Sequence, residues 1–335
     1  MSVVSNNNSL QKNALIVDGH IDYSAIRGFN YMPSYSSNLQ YAWTNFDRNV
    51  WEKEIPYALR FGSNMLRIWL DWSAYLVMGS KMLDKIDQSL EIMDNCGLKA
   101  MLVLFNRWND PQYPAGGIFN ENIYYPYELG FKPFFPYIDE LMERFSNDRR
   151  VAIWDLCNEP TAMKQDDPSR EYLWLSAIND RIRKKTTIPI TIGTMTYDFL
   201  RPYAPLVDVI SFHPYPRKIG EMKVLCKDHS AIAGEFSKPL ICTETCCGSL
   251  NDKERADLAR ENIEILEKYK IGWMAWQLVS GKFVTGSREK TDSNATRPGE
   301  GYMPWIMPDG KIRPYHDWLE FKDTEMPQWE NIRLQ

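Results

Sequence analysis

Short apolar runs alternate with longer amphipathic stretches along most of this 335-residue chain. The short runs are typical of buried strands, and the stretches between them carry apolar residues at helical spacing. This alternation predicts repeated βα units, in which parallel strands are covered by helices. We predict eight strands: Ile26–Tyr31, Asn64–Leu70, Lys99–Phe105, Val151–Cys157, Pro189–Gly193, Val209–His213, Leu240–Thr243 and Gly272–Leu278.

Eight such strands in one chain of this length predict a single-domain α/β fold, the (β/α)8 TIM barrel. We expect a polar extension over residues 1–22, the barrel over 23–325 and a tail over 326–335. The connections after the fifth and sixth strands have weaker patterns, and Leu200–Leu206 is too short for a full helix. Elsewhere the pattern predicts five helices: Asp47–Phe61, Lys81–Cys96, Phe134–Phe145, Arg170–Thr186 and Lys253–Tyr269.

Several segments that follow predicted strands are longer than a tight connection needs, most clearly Asn106–Lys132, Thr161–Pro168 and Ser280–Trp305. Loops after the strands of such a barrel form its active-site face, so we interpret these long βα loops as substrate-binding apparatus. The first is dense in Tyr and Phe, which fits either a wall beside a sugar or a loop held by its own aromatic cluster.

Composition narrows the possible partners. The net charge of -5 provides no basic stripe for phosphates, so we expect no nucleic acid partner. No apolar run is long enough to span a membrane. The 12 Trp, 18 Tyr and 14 Phe residues suit both core packing and the C–H faces of sugars.

The start of the sequence and its cysteines indicate where in or outside the cell the protein is expected. MSVVSNNNSLQKN lacks the basic and apolar regions of a signal peptide. The six cysteines lie mostly in apolar segments, as buried thiols do. We therefore expect a cytoplasmic protein, whereas a leader removed before this start would indicate secretion.

Two glutamates follow predicted strands in the same way. Glu159 ends the run VAIWDLCNEP, where Pro160 cannot continue a strand, and Glu244 follows the strand of PLICTET. Strand ends of a barrel meet on one face, so the two side chains can converge there. Glycoside hydrolysis needs such a pair, one protonated and one ionised, and a separation of about 5–5.5 Å gives retention of configuration. No metal or cofactor is needed for this chemistry.

Further polar and aromatic residues lie near the predicted strand ends. His213 and Tyr215 in VISFHPYP are spaced to face one pocket on extended backbone. Arg67 lies within an apolar strand and needs a carboxylate partner, for which Glu244 is the candidate. After the eighth strand, Trp276 can form the floor of a sugar site. Two residues of the same segment are candidates to hydrogen-bond sugar hydroxyls: Gln277 and Lys282.

The ordered series RGFNY, NMLRIW, WDLCNEP, SFHPY, CTET and WMAWQ resembles the clan of retaining (β/α)8 glycosidases typified by glycoside hydrolase family 5. That family contains cellulases, mannanases and β-mannosidases, and the resemblance extends from about Ile26 to about Trp318. It implies a retaining β-glycosidase acting on an oligosaccharide or glycoside, with β-mannosides and β-glucosides as the candidate substrates and exo action favoured by the long loops.

The resemblance also implies roles for individual residues. Glu159 matches the acid/base, Glu244 the nucleophile, and Asn158 the amide that binds the 2-hydroxyl of the reacting sugar. Four further residues match supporting positions: Arg67 and Tyr215 beside the nucleophile, His213 beside the acid/base, and Trp276 as the stacking platform. Many members have a histidine near the end of strand three. This chain has Asn106 and Trp108 there as candidate substitutes.

Two other classes of protein remain as alternatives. VDGHID near the start resembles the first strand of metal-dependent barrel hydrolases, with His20 as a ligand. A carbohydrate-binding barrel without catalysis is the second alternative. Barrels of that kind usually lose one of the two glutamates, whereas this chain has both.

Overall fold

The structure is a computed structural model that describes residues 15–17, 20–106, 131–160, 168–195, 197–288 and 301–321. Eight parallel strands close into a barrel in which each strand pairs with its neighbours in chain order and the eighth pairs with the first. The predicted (β/α)8 fold is therefore confirmed. The barrel strands are β1 (Arg27–Tyr31), β2 (Met65–Trp69), β3 (Lys99–Val103), β4 (Val151–Asn158), β5 (Ile190–Thr194), β6 (Ile210–Phe212), β7 (Leu240–Cys242) and β8 (Gly272–Ala275).

The helices agree with the pattern where amphipathicity is strong. They are α1 (Leu39–Thr44), α2 (Arg48–Glu54), α3 (Trp72–Met78), α4 (Lys81–Asn95), α5 (Phe135–Phe145), α6 (Pro168–Arg183), α7 (Tyr197–Tyr203), α8 (Glu221–Glu235) and α9 (Asp252–Lys268). The predicted helix Asp47–Phe61 is wrong in its second half, which is a 3-10 helix over Ile55–Phe61. Pro56 lacks the N–H that would continue the α-helical bonding there.

Side chains that point into the barrel change in character from one end to the other. At the amino ends of the strands they form an apolar layer that includes Met65, Met101, Ile153, Val209, Ile241 and Met274. Two residues further along four of these strands, the buried inward positions are polar: Arg67, Asp155, Ser211 and Thr243. The polar layer lies towards the carboxyl ends of the strands, where a TIM barrel carries its active site.

A short antiparallel sheet of Ile16–Val17 and His20–Ile21 precedes β1. Ile21 and Tyr23 pack against the apolar layer at the amino ends of the strands, so this sheet covers the end of the barrel opposite the polar layer.

The described residues after β8 contain no α-helix, and the segment 301–321 packs against the barrel in its place. Trp305 of this segment contacts Phe29 and Phe61, with ring centroids 5.5 and 5.7 Å apart. The expected domain boundaries at residues 22 and 325 stay predictions. In the described part of the chain, no helix has the length and apolar character needed to cross a membrane.

Gly28 provides a test of how closely β1 and β2 approach. A Cβ atom at this position would lie 2.0 Å from the carbonyl oxygen of Met65 and 3.2 Å from Cε of Met274. We therefore expect Gly28→Ala to lower the free energy of unfolding by about 3 kcal/mol, measured by chemical denaturation.

Gly234 in α8 is the matched control, because a Cβ atom there meets nothing within 4 Å. Gly234→Ala is expected to leave stability unchanged or to raise it by about 0.5 kcal/mol. Equal unfolding midpoints for the two variants would contradict the packing described for β1 and β2.

Candidate active site

Arg67 on β2 lies at the centre of the polar layer and has no solvent-exposed surface. Its Nε and Nη2 atoms donate to Oδ2 of Asp155 at 3.0 and 2.8 Å. Its Nη1 atom donates to the carboxylate of Glu244, the partner expected from the sequence, and to Oδ1 of Asn30 at 2.8 Å. Nη2 also donates to Oδ1 of Asn158 at 2.9 Å. The guanidinium thus joins residues that follow or belong to β1, β2, β4 and β7.

Glu244 is buried and its two carboxylate oxygens have different partners. Oε1 accepts from Arg67, and Oε2 accepts from the hydroxyl of Tyr215 at 2.7 Å. Burial raises the pKa of the Glu244 carboxyl, and the charge of Arg67 and the Tyr215 hydrogen bond oppose that rise. Burial and the nearby carboxylates raise the pKa of the Tyr215 phenol well above its usual value, so Tyr215 stays a donor.

Glu159 follows β4 in a left-handed backbone conformation, with φ of 47°. Its backbone N–H donates to the carbonyl of Gly193 at 2.8 Å, which holds this uncommon conformation. One carboxylate oxygen, Oε1, lies 2.7 Å from Nδ1 of His213. The side chain is buried, so its position is set by contacts with β5 and with the residue after β6.

His213 lies between the two glutamates. Its Nδ1 atom is 2.7 Å from Oε1 of Glu159 and 3.7 Å from Oε2 of Glu244. Burial lowers the pKa of His213 to about 4, so the ring is neutral near pH 7. Gly193 makes room for it, because a Cβ atom there would lie 2.6 Å from Nε2 of His213.

The two carboxylates are close enough to act on one bond. Glu159, His213 and Glu244 each present an oxygen or nitrogen atom, and these three atoms lie within 4.8 Å of one another. Closely spaced carboxyl groups are what a retaining glycosidase needs, whereas an inverting enzyme holds them further apart to admit a water molecule. A metal could also reach such a triad by distance alone. However, the positive charge of Arg67 on Glu244 already compensates this carboxylate, so we do not assign a metal site here.

Four further predicted residues are the two amides near Arg67 and two tryptophans. Asn158 donates from Nδ2 to Oδ1 of Asn106 at 3.1 Å, so these amides form a pair beside Arg67. Trp276 lies after β8 with its ring 5.0 Å from that of Trp69. Trp108 lies outside the described residues.

Gln277 and Lys282 lie in the segment that follows β8, where their described contacts are with residues of that segment and of one cavity. The Gln277 amide donates to the carbonyl of Val279 at 3.0 Å and accepts from the hydroxyl of Thr285 at 2.6 Å, so both of its ends are used within its own loop. Lys282 lines a cavity of about 440 Å³. Within the described part of the chain, neither glutamate contributes to the wall of this cavity. A sugar-binding role for Gln277 and Lys282 stays a prediction.

Sequence analysis did not identify the roles of Asp155, Asn30 and Thr243. Asn30 accepts from Arg67 and donates from Nδ2 to the carbonyl of Thr243 at 2.8 Å. The signal that could have found them is a polar residue at an inward position of an otherwise apolar strand, because such a residue needs a buried partner. His20 of the metal-hydrolase alternative lies in the sheet at the opposite end of the barrel.

Comparisons with known proteins identify a family and several relatives. The family model for cellulase, glycosyl hydrolase family 5, matches residues 25–282. A mannan endo-1,4-β-mannosidase A from Podospora anserina is 24% identical over 193 residues. That match covers 50% of this chain and 51% of the relative, so the chain spans about half the length of the curated relative it matches.

Solved structures show the same fold at low sequence identity. An endo-1,4-β-mannanase from Rhizomucor miehei has a TM-score of 0.62 and 18% identity, over 79% of this chain and 88% of that one. An exo-β-1,4-mannosidase from an Opitutaceae bacterium has a TM-score of 0.67 and 15% identity, over 87% of this chain and 58% of that one.

Neutral His213 makes the stability of the site depend on pH. Its pKa of about 4 lies below the value of 6.5 expected after unfolding, so the unfolded chain binds a proton first as the pH falls. The contribution of His213 is present above pH 6.5 and is lost as the pH falls towards 4. We expect the wild type to lose about 3 kcal/mol more stability than His213→Asn between pH 7 and pH 4. Parallel stability curves for the two proteins would contradict the buried neutral ring.

Proposed function

The chain belongs to the cellulase family, glycosyl hydrolase family 5, and we propose that it cleaves the β-glycosidic bond of a mannose-containing saccharide with retention of configuration. That it is a glycosidase follows from the family. The substrate and the stereochemistry are the proposal. The observation that carries it is the proximity of the Glu159 and Glu244 carboxyl groups, each with a different set of partners.

Glu244 is the proposed nucleophile. Its contacts with Arg67 and Tyr215 are the kind that favour an ionised carboxylate, which attack on the anomeric carbon requires. They also hold the side chain in one orientation. As the bond to the leaving oxygen breaks, Glu244 forms an ester with the sugar and its negative charge disappears.

Glu159 is the proposed acid/base. In its protonated form it gives its proton to the leaving oxygen, and in the second step its carboxylate takes a proton from the attacking water. Its contact with neutral His213 supports this role, since Arg67 donates to Glu244 instead. Asn158 is placed beside Arg67, where its amide can bind the 2-hydroxyl of the reacting sugar.

The choice of mannose rests on the relatives. The Podospora relative and both solved structures are described as acting on β-mannosides. The connections after β3 and β8 are long. Long loops can form the wall of a closed pocket, and such a pocket favours cleavage at the end of a saccharide chain.

The roles of the two glutamates can be separated with azide. In Glu159→Ala, an aryl mannoside with an activated leaving group should still form the ester on Glu244, and its hydrolysis should slow by about 10²–10⁴-fold. Azide needs no general base, so it should speed the second step and give a glycosyl azide with the configuration of the substrate. Glu244→Ala should give no such product.

Glu54→Gln is the matched control for removing a buried carboxylate. Glu54 accepts from Tyr31 and Ser34 and lies outside the catalytic pair, so this variant should keep its activity and be insensitive to azide. Labelling of Glu159 by a 2-fluoro glycoside, or release of an inverted sugar by the wild type, would contradict the assignment.

The substrate proposal is tested with aryl β-glycosides and a manno-oligosaccharide. We expect the highest kcat/KM for the β-mannoside among the mannoside, glucoside, galactoside and xyloside. A labelled mannohexaose should release mannose as its first product if the enzyme acts on chain ends. A preference for the glucoside would overturn the choice of sugar, and early release of di- and trisaccharides would indicate internal cleavage.

A further inference from the structure

A series of hydrogen bonds through two buried hydroxyl groups extends from His213 into the barrel. Nε2 of His213 is 2.8 Å from Oγ1 of Thr243, and Oγ1 of Thr243 is in turn hydrogen-bonded to Oγ of Ser211. All three residues are buried. On its other side, His213 contacts Glu159 through Nδ1. This series of hydrogen bonds therefore ends at Glu159, the proposed acid/base.

The direction of the hydrogen bonds follows from counting hydrogens. Within the described residues, the Ser211 hydroxyl has one side-chain partner, Thr243, so its hydrogen is directed at Oγ1 of Thr243. The Thr243 hydroxyl then directs its own hydrogen at its second partner, Nε2 of His213. The opposite direction would leave the buried Ser211 hydrogen without a side-chain acceptor among the described residues, which is costly.

A neutral histidine carries one ring hydrogen. If Nε2 accepts from Thr243, that hydrogen is on Nδ1, and Nδ1 donates to Oε1 of Glu159. Oε1 is then occupied as an acceptor, so a proton on Glu159 must be carried by Oε2. In this arrangement Oε1 is anchored by His213, and Oε2 carries the proton that the leaving oxygen receives.

We propose that Thr243 is a positioning residue that fixes the tautomer of His213 and thereby the oxygen of Glu159 that carries the catalytic proton. The proposal rests on the role of Glu159 given under the proposed function. Ser211 supports Thr243 from the next strand, and Asn30 holds the Thr243 backbone by donating to its carbonyl.

Other charged groups also face the ring of His213 and enter its titration. Glu244 lies 3.7 Å from Nδ1, and Arg67 and Asp155 act on the ring through their charges. Tyr215 contacts Glu244 from the same loop as His213. These groups remain in place when only the Thr243 hydroxyl is removed, so a variant of Thr243 isolates the effect of the hydroxyl.

The tautomer is measured directly by nitrogen NMR on protein labelled with ¹⁵N-histidine. The chain has four histidines, and the His213 signals are assigned by their loss in His213→Asn. We expect wild-type His213 to carry its hydrogen on Nδ1. Thr243→Val, which keeps the shape of the side chain and removes the hydroxyl, should give a mixture of tautomers, and Thr243→Ser should restore the wild-type spectrum.

Kinetics give the second measurement. In Thr243→Val the ring can carry its hydrogen on Nε2 and accept from protonated Glu159 at Nδ1, which stabilises the protonated acid, so the alkaline limb of kcat/KM should move to higher pH. Cleavage of an unactivated leaving group should fall on the order of tenfold, and cleavage of a dinitrophenyl glycoside should change far less. Thr243→Ser should behave as the wild type.

Thr191→Val is the matched control, because Thr191 is equally buried but donates to the backbone carbonyl of Val209. It should alter neither the tautomer nor the pH profile. A wild-type ring protonated on Nε2, or identical profiles for Thr243→Val and Thr243→Ser, would overturn the proposal. The NMR measurement does not depend on turnover. Failure of the azide experiment would therefore reject the role of Glu159 separately from the tautomer.

Discussion

The buried charge of Arg67 is the constraint around which the carboxyl-terminal half of the barrel strands is arranged. A guanidinium without contact to water is stable only where carboxylates and amide oxygens satisfy its donors. Asp155 supplies one charge through two hydrogen bonds and Glu244 supplies the second, while Asn30 and Asn158 accept from the remaining donors. These partners come from β1, from β4 and from the residues after β7, so neutralising one charge also fixes the relative positions of the strands that lead to Glu159 and Glu244.

The same arrangement explains why the inward side chains differ between the amino and carboxyl ends of the strands. The inward layer at the amino ends is apolar and needs no specific partners, whereas the layer above it is polar and every member depends on its neighbours. Replacing one polar member leaves another buried without a partner, which costs more than the lost hydrogen bond itself. Gly193 illustrates how tightly the polar layer is packed, because only the absence of a side chain at this position leaves space for His213.

The sequence was sufficient for the features that depend on periodicity. All eight strands were predicted, because apolar runs between amphipathic stretches identify buried parallel strands. The short helices α1, α3 and α7 were missed because six or seven residues give too little periodicity. Helix α8 was missed because the connection after the sixth strand has a weaker pattern, and the 3-10 turn at Pro56 broke a predicted helix. The glutamates were found by their position after strands. The partners Asp155 and Thr243 were not, because a contact across the barrel depends on register between distant strands. The contact of Gln277 with Thr285 was likewise not foreseen, because Thr285 lies on a loop without a periodic pattern.

Asp155 gives the cluster a property that the two glutamates alone could not provide. In the proposed reaction Glu244 loses its charge when it forms the ester, and at that point Arg67 would be left uncompensated if Glu244 were its only counter-ion. The two hydrogen bonds from Arg67 to Asp155 persist through this change, since Asp155 takes no part in the chemistry. Glu159 becomes ionised in the same step by giving its proton to the leaving oxygen. The site therefore holds the same net charge before and after the first displacement, and the negative charge moves from Glu244 to Glu159 within a cluster whose positive centre stays fixed.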